Sequence, residues 1–264
     1  MLQPDNRLTL LDALRPPPGY TVDRAIGTTY SLDLQAMLTA PAAFALVQAT
    51  ASGEPDTAPI ELLDSIRRHS RRIVIFCQGG QIATPAQTRL LPFLEGAVVP
   101  VRAPGGGVFH PKVWVLRFIS TTGNPTRYRL LVATRNLTFD RSWDTVLRLD
   151  EADDDADGYV LDQLPQFLNR LPDLAVQPIE PEQRKAISAI ARELEDIRFA
   201  PPPGVVAMAF HAIGLDAAPS WPFPAEARRI FVCSPFLDAP LLARLPHATE
   251  WSAVLSRPET MDGV

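Results

Sequence analysis

Apolar residues follow two patterns along this chain. Some segments are short continuous runs rich in β-branched and aromatic residues, which predict strands, and in others apolar residues recur every three or four positions, which predicts helices. The predicted strands are residues 20–30, 72–77, 97–102, 109–116, 128–138 and 143–149. The first predicted helix begins at Ser31 as an N-cap, and others cover 58–69, 85–95, 158–171 and 181–199. This order predicts an α/β fold in which a mixed sheet is flanked by helices.

Part of this pattern occurs a second time. The run 228–233 resembles the run 71–77 at an offset of 157 residues, from position 71 to position 228. A predicted helix at 239–245 and a predicted strand at 252–257 follow it, as a helix and a strand follow the first run. Such self-similarity indicates a repeated supersecondary unit. We therefore predict a complete first lobe at 1–171, a connecting helix and proline-rich linker at 172–204, and the beginning of a second lobe at 205–264.

Two polar residues interrupt the fourth predicted strand. Because side chains alternate between the faces of a strand, His110, Lys112 and Trp114 are expected on one face. Lys112 is one of only two lysines in the chain, and the other, Lys185, is expected on the surface of a helix. The next predicted strand leads to Asn136, so neighbouring strands would bring a carboxamide beside the imidazole and the ammonium. A nitrogen nucleophile with two hydrogen-bond donors is suited to a phosphoryl group.

These residues resemble one half-site of the phospholipase D superfamily. The family pattern is His-x-Lys followed by a strand ending in Ser/Thr-x-Asn, and this chain has His110-Pro111-Lys112, then Thr134-Arg135-Asn136-Leu137-Thr138, then Ser142-Trp143-Asp144. The resemblance covers roughly residues 20–150 and is closest to the branch of tyrosyl-DNA phosphodiesterases and bacterial phospholipase D-like nucleases. The lipase version of the motif has an aspartate five residues after the lysine, where this chain has Arg117. The departure weakens a lipid-hydrolysing interpretation and is compatible with the DNA-processing branch.

The resemblance implies a phospholipase D-like fold and metal-independent cleavage of phosphodiesters, with no cofactor. It implies that His110 acts as nucleophile or as general acid and base, and that Lys112 and Asn136 hold the phosphoryl oxygens. Thr134 and Asp144 are supporting candidates, Asp144 as a residue that orients another site residue.

The family's chemistry also requires a second histidine. Its members use two facing His-x-Lys half-sites, in which one histidine forms a phosphohistidine while the other protonates the leaving oxygen and then activates water. No lysine stands two residues after His69, His211 or His247, so these three are interpreted as structural or surface residues, with His211 on an apolar strand. The second half-site is therefore expected from downstream sequence, where the repeat would place it at position 267, or from a homodimer.

Composition and charge limit the classes of partner. The formal net charge of -5 and the sequence pI near 5.4 argue against a protein that coats nucleic acid by its overall charge. Contact with DNA would have to be local. Arginines cluster around the predicted site at Arg127, Arg129, Arg135 and Arg141, and a separate cluster of Arg67, Arg68, Arg71 and Arg72 is interpreted as a solvated face.

The remaining composition indicates a soluble cytoplasmic protein. Cys77 and Cys233 lie in apolar runs and are interpreted as small hydrophobes, without a disulfide framework or metal-ligand spacing. The acidic segment 150–157 is interpreted as an exposed turn, with calcium binding a less favoured alternative. The sequence shows neither a signal peptide nor a transmembrane run.

The sequence thus predicts a phosphodiesterase that acts on DNA or DNA ends. Two alternatives remain open. The chain could be a non-catalytic half-enzyme kept for nucleic-acid binding or assembly, or it could be a phospholipid hydrolase or transferase.

Overall fold

A computed structural model describes residues 8–38, 40–41, 44, 59–83, 91–123, 125–139, 144–215 and 221–263. The chain divides into two compact units, Met1–Leu215 and Asp216–Val264. Each unit is described by itself below.

The first unit alternates strands and helices. Its strands are β1 (Tyr20–Thr29), β2 (Leu32–Asp33), β3 (Ile73–Gln78), β4 (Ile82–Ala83), β5 (Val98–Val101), β6 (Val113–Ser120), β7 (Thr126–Ala133), β8 (Val146–Asp150), β9 (Tyr159–Val160) and β10 (Arg198–Phe199). Its α-helices are α1 (Leu10–Leu14), α2 (Leu34–Met37), α3 (Pro59–Ser70), α4 (Gln163–Arg170) and α5 (Pro181–Glu193), and 3-10 turns occupy Leu91–Ala97, Pro104–Gly106 and Leu171–Leu174.

Six strands form the central sheet, in the order β5-β3-β1-β6-β7-β8. β5, β3 and β1 run parallel to one another, and each later neighbour in the order runs antiparallel to the one before it. The carboxyl ends of β1, β3, β5 and β7 therefore meet the amino ends of β6 and β8 at the same end of the sheet. We call this end of the sheet the site end.

Two apolar layers sandwich the sheet. Val115 and Leu130 belong to the layer that includes Phe167 of α4 and Ile187 of α5, whereas the neighbouring residue Trp114 belongs to the opposite layer. The alternation follows from strand geometry, in which successive side chains point to opposite faces. The opposite layer also takes in Leu14, Leu32, Met37, Phe44, Leu116 and Phe118. The predicted α/β class, a mixed sheet flanked by helices, is confirmed.

Several predicted element bounds are wrong. The N-cap of α2 is Asp33 rather than Ser31, and its carboxylate accepts the N–H of Gln35 at 2.8 Å. The helix predicted at 85–95 is a 3-10 turn at Leu91–Ala97, while 84–90 lie outside the described residues. β9 occupies the start of the helix predicted at 158–171, and β10 the end of the one predicted at 181–199. In both places the apolar pattern continues across a change of secondary structure.

The second unit contains a two-stranded parallel sheet. Its elements are β11 (Glu226–Cys233), α6 (Ala239–Arg244), β12 (His247–Leu255) and α7 (Pro258–Met261). Of the two cysteines interpreted as small hydrophobes, Cys77 is buried in the first unit and Cys233 is exposed in the second. His211 lies in a segment without regular secondary structure rather than on a strand. The assignment of 205–264 as the beginning of a second lobe stays a prediction.

Candidate active site

His110 and Lys112 lie at the site end of the sheet, immediately before β6. The prediction placed them within the strand, whereas β6 begins at Val113. The N–H of Ala133 nevertheless donates to the carbonyl oxygen of Lys112 at 2.9 Å, so the backbone of Lys112 is anchored to the end of β7. The imidazole of His110 is exposed and Lys112 is half-buried.

The two side chains touch. The ammonium nitrogen of Lys112 lies 2.9 Å from Nδ1 and 3.1 Å from Nε2 of His110, and it donates to the carbonyl oxygen of His110 at 3.0 Å. A bond along one in-plane lone pair could not give nearly equal distances to both ring nitrogens. The ammonium therefore packs against the imidazole as a whole, and the predicted pairing of these groups is present.

Burial sets the charge states of both groups, and for His110 the contact with Lys112 adds to it. Partial removal from water lowers the pKa of His110, and the adjacent ammonium of Lys112 lowers it further. Burial lowers the pKa of Lys112 to about 8. At neutral pH the imidazole is thus mainly neutral and carries a free lone pair, while the lysine is mainly protonated.

Asn136 lies in the loop that follows β7, and this loop is fastened to β1. The N–H of Leu137 donates to Oγ1 of Thr29 at 2.9 Å, and the N–H of Tyr30 donates to Oδ1 of Asn136 at 3.3 Å. Because this bond uses the amide oxygen of Asn136, the NH2 group is left as a donor. Within the described residues that NH2 group has no hydrogen-bond partner.

Thr134 and Asp144 form a pair in the same region. The hydroxyl of Thr134 donates to a carboxylate oxygen of Asp144 and accepts the N–H of Thr145 at 2.9 Å. Asp144 therefore orients Thr134, and no contact from Asp144 to His110 or Lys112 is present among the described residues. Residues 140–143, which include Arg141, Ser142 and Trp143 of the predicted motif region, lie outside the described ranges.

Sequence reasoning missed two residues that shape this site. The ring of Tyr30 lies 5.3 Å from the ring of His110, centroid to centroid, at an interplanar angle of 45°. The side-chain oxygen of Gln78 accepts the N–H of Phe109 at 2.8 Å and so holds the chain just before His110. Tyr30 ends the predicted strand 20–30, and Gln78 directly follows the predicted strand 72–77. Their position at the carboxyl ends of strands is the signal that could have identified them.

The glycine triplet before His110 makes a turn. Gly105 and Gly106 have φ values of 61° and 75°, which other residues rarely adopt, and the N–H of Gly107 donates to the carbonyl oxygen of Pro104 at 3.1 Å. The sequence left open whether these glycines form a turn or let the backbone approach a ligand, and the structure shows the turn.

Two of the four arginines predicted around the site have structural roles elsewhere. Arg129 is buried, bonds Asp150 and donates to the carbonyl oxygens of Ala13 and Arg15 at 2.8 and 2.6 Å. Arg127 pairs with Asp153 at 2.9 Å, far along β7 from the site end. Their placement as site cations is therefore wrong.

Arg117 occupies the position where the lipase motif has its aspartate. Its guanidinium bonds Asp23 at 2.6 Å, Glu193 at 3.0 Å and the hydroxyl of Tyr128 at 3.1 Å. Because Glu193 belongs to α5, this network attaches that helix to the sheet and does not reach His110 or Lys112.

The described ranges contain neither a membrane-spanning helix nor a cluster of metal-binding side chains. None of their helices is long and apolar enough to cross a bilayer. No group of three or more His, Cys, Asp or Glu side chains among those residues is placed to hold a metal ion.

Comparisons with known proteins give a partial likeness to solved structures only. Neither a protein-family model nor a curated protein sequence matches this chain. Among solved structures, a mutant of yeast tyrosyl-DNA phosphodiesterase is similar with a TM-score of 0.35 and 15% sequence identity, over 71% of this chain and 36% of the yeast chain. The likeness therefore spans little more than a third of the yeast protein.

Proposed function

We propose that this protein is a phospholipase D-like phosphodiesterase that cleaves DNA or DNA ends through a covalent phosphohistidine at His110, without a metal ion. The contact between the ammonium of Lys112 and the exposed imidazole of His110 is the observation that carries this proposal. It pairs a nitrogen nucleophile with a cation that attracts phosphate. The motif resemblance supports DNA as the substrate.

The proposed reaction has two steps. In the first, a ring nitrogen of His110 attacks phosphorus, a P–N bond forms, the P–O bond to the leaving group breaks, and the leaving oxygen takes a proton from a general acid. In the second, water attacks the phosphohistidine and loses a proton to a general base, the P–N bond breaks, and the electron pair returns to the imidazole. Positioned acids and bases of this kind typically contribute about 10²–10⁴-fold in rate.

Three side chains would assist at phosphorus. The lowered pKa of His110 keeps its lone pair available at neutral pH. The ammonium of Lys112 and the NH2 group of Asn136 would donate to the non-bridging oxygens, which gain negative charge as the nucleophile attacks. Thr134, held by Asp144, is proposed as a supporting residue.

The second histidine is proposed to come from outside these 264 residues, either from sequence that follows Val264 or from a second copy of the chain. Light scattering distinguishes the two sources. An active monomer of the present chain would contradict both, and an active dimer with paired His110 residues would exclude the first.

The test uses the form of the protein that carries both half-sites, which is the homodimer or the chain extended beyond Val264. It compares His110→Ala with His247→Ala, a histidine outside the motif, on bis-p-nitrophenyl phosphate and on end-labelled DNA. We expect His110→Ala to lose activity on both substrates while His247→Ala retains it, and we expect EDTA to have no effect. Activity that survives in His110→Ala, or that EDTA abolishes, would contradict the mechanism. DNA binding without hydrolysis by the wild-type protein would favour the non-catalytic alternative.

A further inference from the structure

A polar cavity lies at the opposite end of the sheet from His110. Its volume is about 550 Å³, and its lining includes Arg67, Arg71, Gly96, Ala97, Glu180 and Gln183. Arg71 lies just before β3, whose carboxyl end reaches the site end. Six strand residues span about 20 Å, so this cavity is separate from the proposed active site.

Two arginines in this cavity lack partners. Within the described residues, neither the guanidinium of Arg67 nor that of Arg71 makes an ion pair or a hydrogen bond. Their neighbours are engaged: Arg68 pairs with Asp64 at 3.3 Å, and Arg72 donates to the carbonyl oxygen of Val22 at 2.7 Å. The unpaired cations are therefore those that line the cavity.

The charge around the cavity is positive overall, although carboxylates offset part of it. A smaller cavity of about 140 Å³ shares Arg71 and Gln183 with it and adds Arg24, Arg72 and Glu182 to the lining, and Arg24 pairs with Asp23 at 3.8 Å.

One wall of the cavity carries a negatively charged residue. Glu180, immediately before α5, contributes a carboxylate to the lining but forms no ion pair with Arg67 or Arg71. Gln183 is held in place because its side-chain N–H donates to the carbonyl oxygen of Gly96 at 2.7 Å. The cavity thus presents two cations and, separately, one acceptor for hydroxyl or amino donors.

We propose that this cavity binds a phosphorylated small molecule with hydroxyl or amino groups, such as a nucleoside phosphate, with its phosphate at Arg67 and Arg71 and its donors at Glu180. Guanidinium groups bind phosphate through charge-assisted, often bidentate hydrogen bonds. The volume lies within the roughly 300–1,000 Å³ of small-molecule sites. This inference does not depend on the proposed function.

The test uses the full chain carrying His110→Ala and Lys112→Ala, so that phosphate binding at the proposed active site is removed. ATP, ribose 5-phosphate and pyrophosphate are titrated by calorimetry at low and at physiological salt. We expect ATP to bind, to weaken at higher salt because the arginines are exposed, and to lose at least about tenfold in affinity in Arg67→Ala/Arg71→Ala. Arg170→Ala, which removes an exposed arginine outside the cavity, serves as the matched control and should bind ATP normally.

Glu180→Gln tests the class of ligand. Loss of the carboxylate should strengthen pyrophosphate binding and reduce the preference for ATP over pyrophosphate. No ATP binding at millimolar concentration, or equal binding by the double-arginine variant and its parent, would overturn the proposal. Pyrophosphate binding as tightly as ATP before the Glu180 change would overturn the assigned ligand class.

Discussion

At the scale of the residue, the proposed site depends on which cation lies against His110. Lys112→Arg should lower kcat at least about tenfold, because a planar guanidinium cannot occupy the place of a compact ammonium 3.0 Å from the carbonyl oxygen of His110 without displacing the phosphate. Lys185→Arg, at the only other lysine, is the control and should leave kcat unchanged. Circular dichroism should show that both variants fold. Normal turnover by Lys112→Arg would make Lys112 a peripheral charge.

The pH dependence follows from the same pair. His110 must be neutral to attack, and its pKa lies below 6.5. Protonation of His110 should therefore lower kcat/KM at pH values below 6.5. Lys112 must be protonated, and its pKa of about 8 predicts a second fall as the pH rises through about 8. A pH profile of kcat/KM reports these groups in the free enzyme. In Lys112→Met the alkaline limb should vanish, and an alkaline limb near the usual lysine value would contradict this assignment.

The motif residues could be identified from the sequence, but their exact setting could not. The two-residue spacing of His110 and Lys112 correctly predicted that they project together, although both lie in the irregular segment before β6 rather than in the strand. The roles of Arg127 and Arg129 were misjudged because sequence proximity does not reveal which end of β7 a residue occupies. Tyr30 was missed because its contact with His110 depends on β1 and β6 being neighbours.

At the scale of the element, β1 is the strand on which the site end is built. It separates the parallel from the antiparallel half of the sheet, and residues at its carboxyl end fasten the Asn136 loop. Strand positions were predictable from apolar runs, but strand ends were not. The predicted strand 128–138 extended past the end of β7 because Leu137 is also apolar and buried. Leu137 forms an isolated β-bridge to Leu32 and is not part of β7.

Close packing at β1 gives a stability prediction. A Cβ on Gly27 would lie 2.6 Å from Cδ1 of Ile75 and 3.1 Å from the ring of Trp114. Gly27→Ala should therefore destabilise the fold by about 1–3 kcal/mol, as overpacking typically does. Gly96→Ala, where a Cβ would meet no heavy atom within 4 Å, is the matched control. Urea unfolding measures both, and equal stability of the two variants would show that the space beside Gly27 is not restricted.

At the scale of the whole molecule, the two units have similar sequences in the repeated segment, but the side chains of that segment differ in burial. Among the described residues, the buried apolar side chains of the two cores lie between Ala13 and Phe199. The repeat correctly predicted a strand, helix and strand in the second unit, with β11 and β12 parallel as β3 and β5 are. Val74 in the first unit is 7% exposed, whereas Phe231, its counterpart at the repeat offset, is 62% exposed. Periodicity predicts such elements, but what covers them depends on residues distant in sequence.

The central claim is that His110 forms a covalent bond to phosphorus, and trapping that bond tests it most directly. The protein is mixed with bis-p-nitrophenyl phosphate, denatured within the first turnovers at alkaline pH, where a P–N bond persists, and its peptides are analysed by mass spectrometry. The account predicts a p-nitrophenylphosphoryl group on His110, formed in step with released p-nitrophenol and absent in His110→Ala. Hydrolysis without any adduct on His110, or an adduct on a different residue, would contradict it.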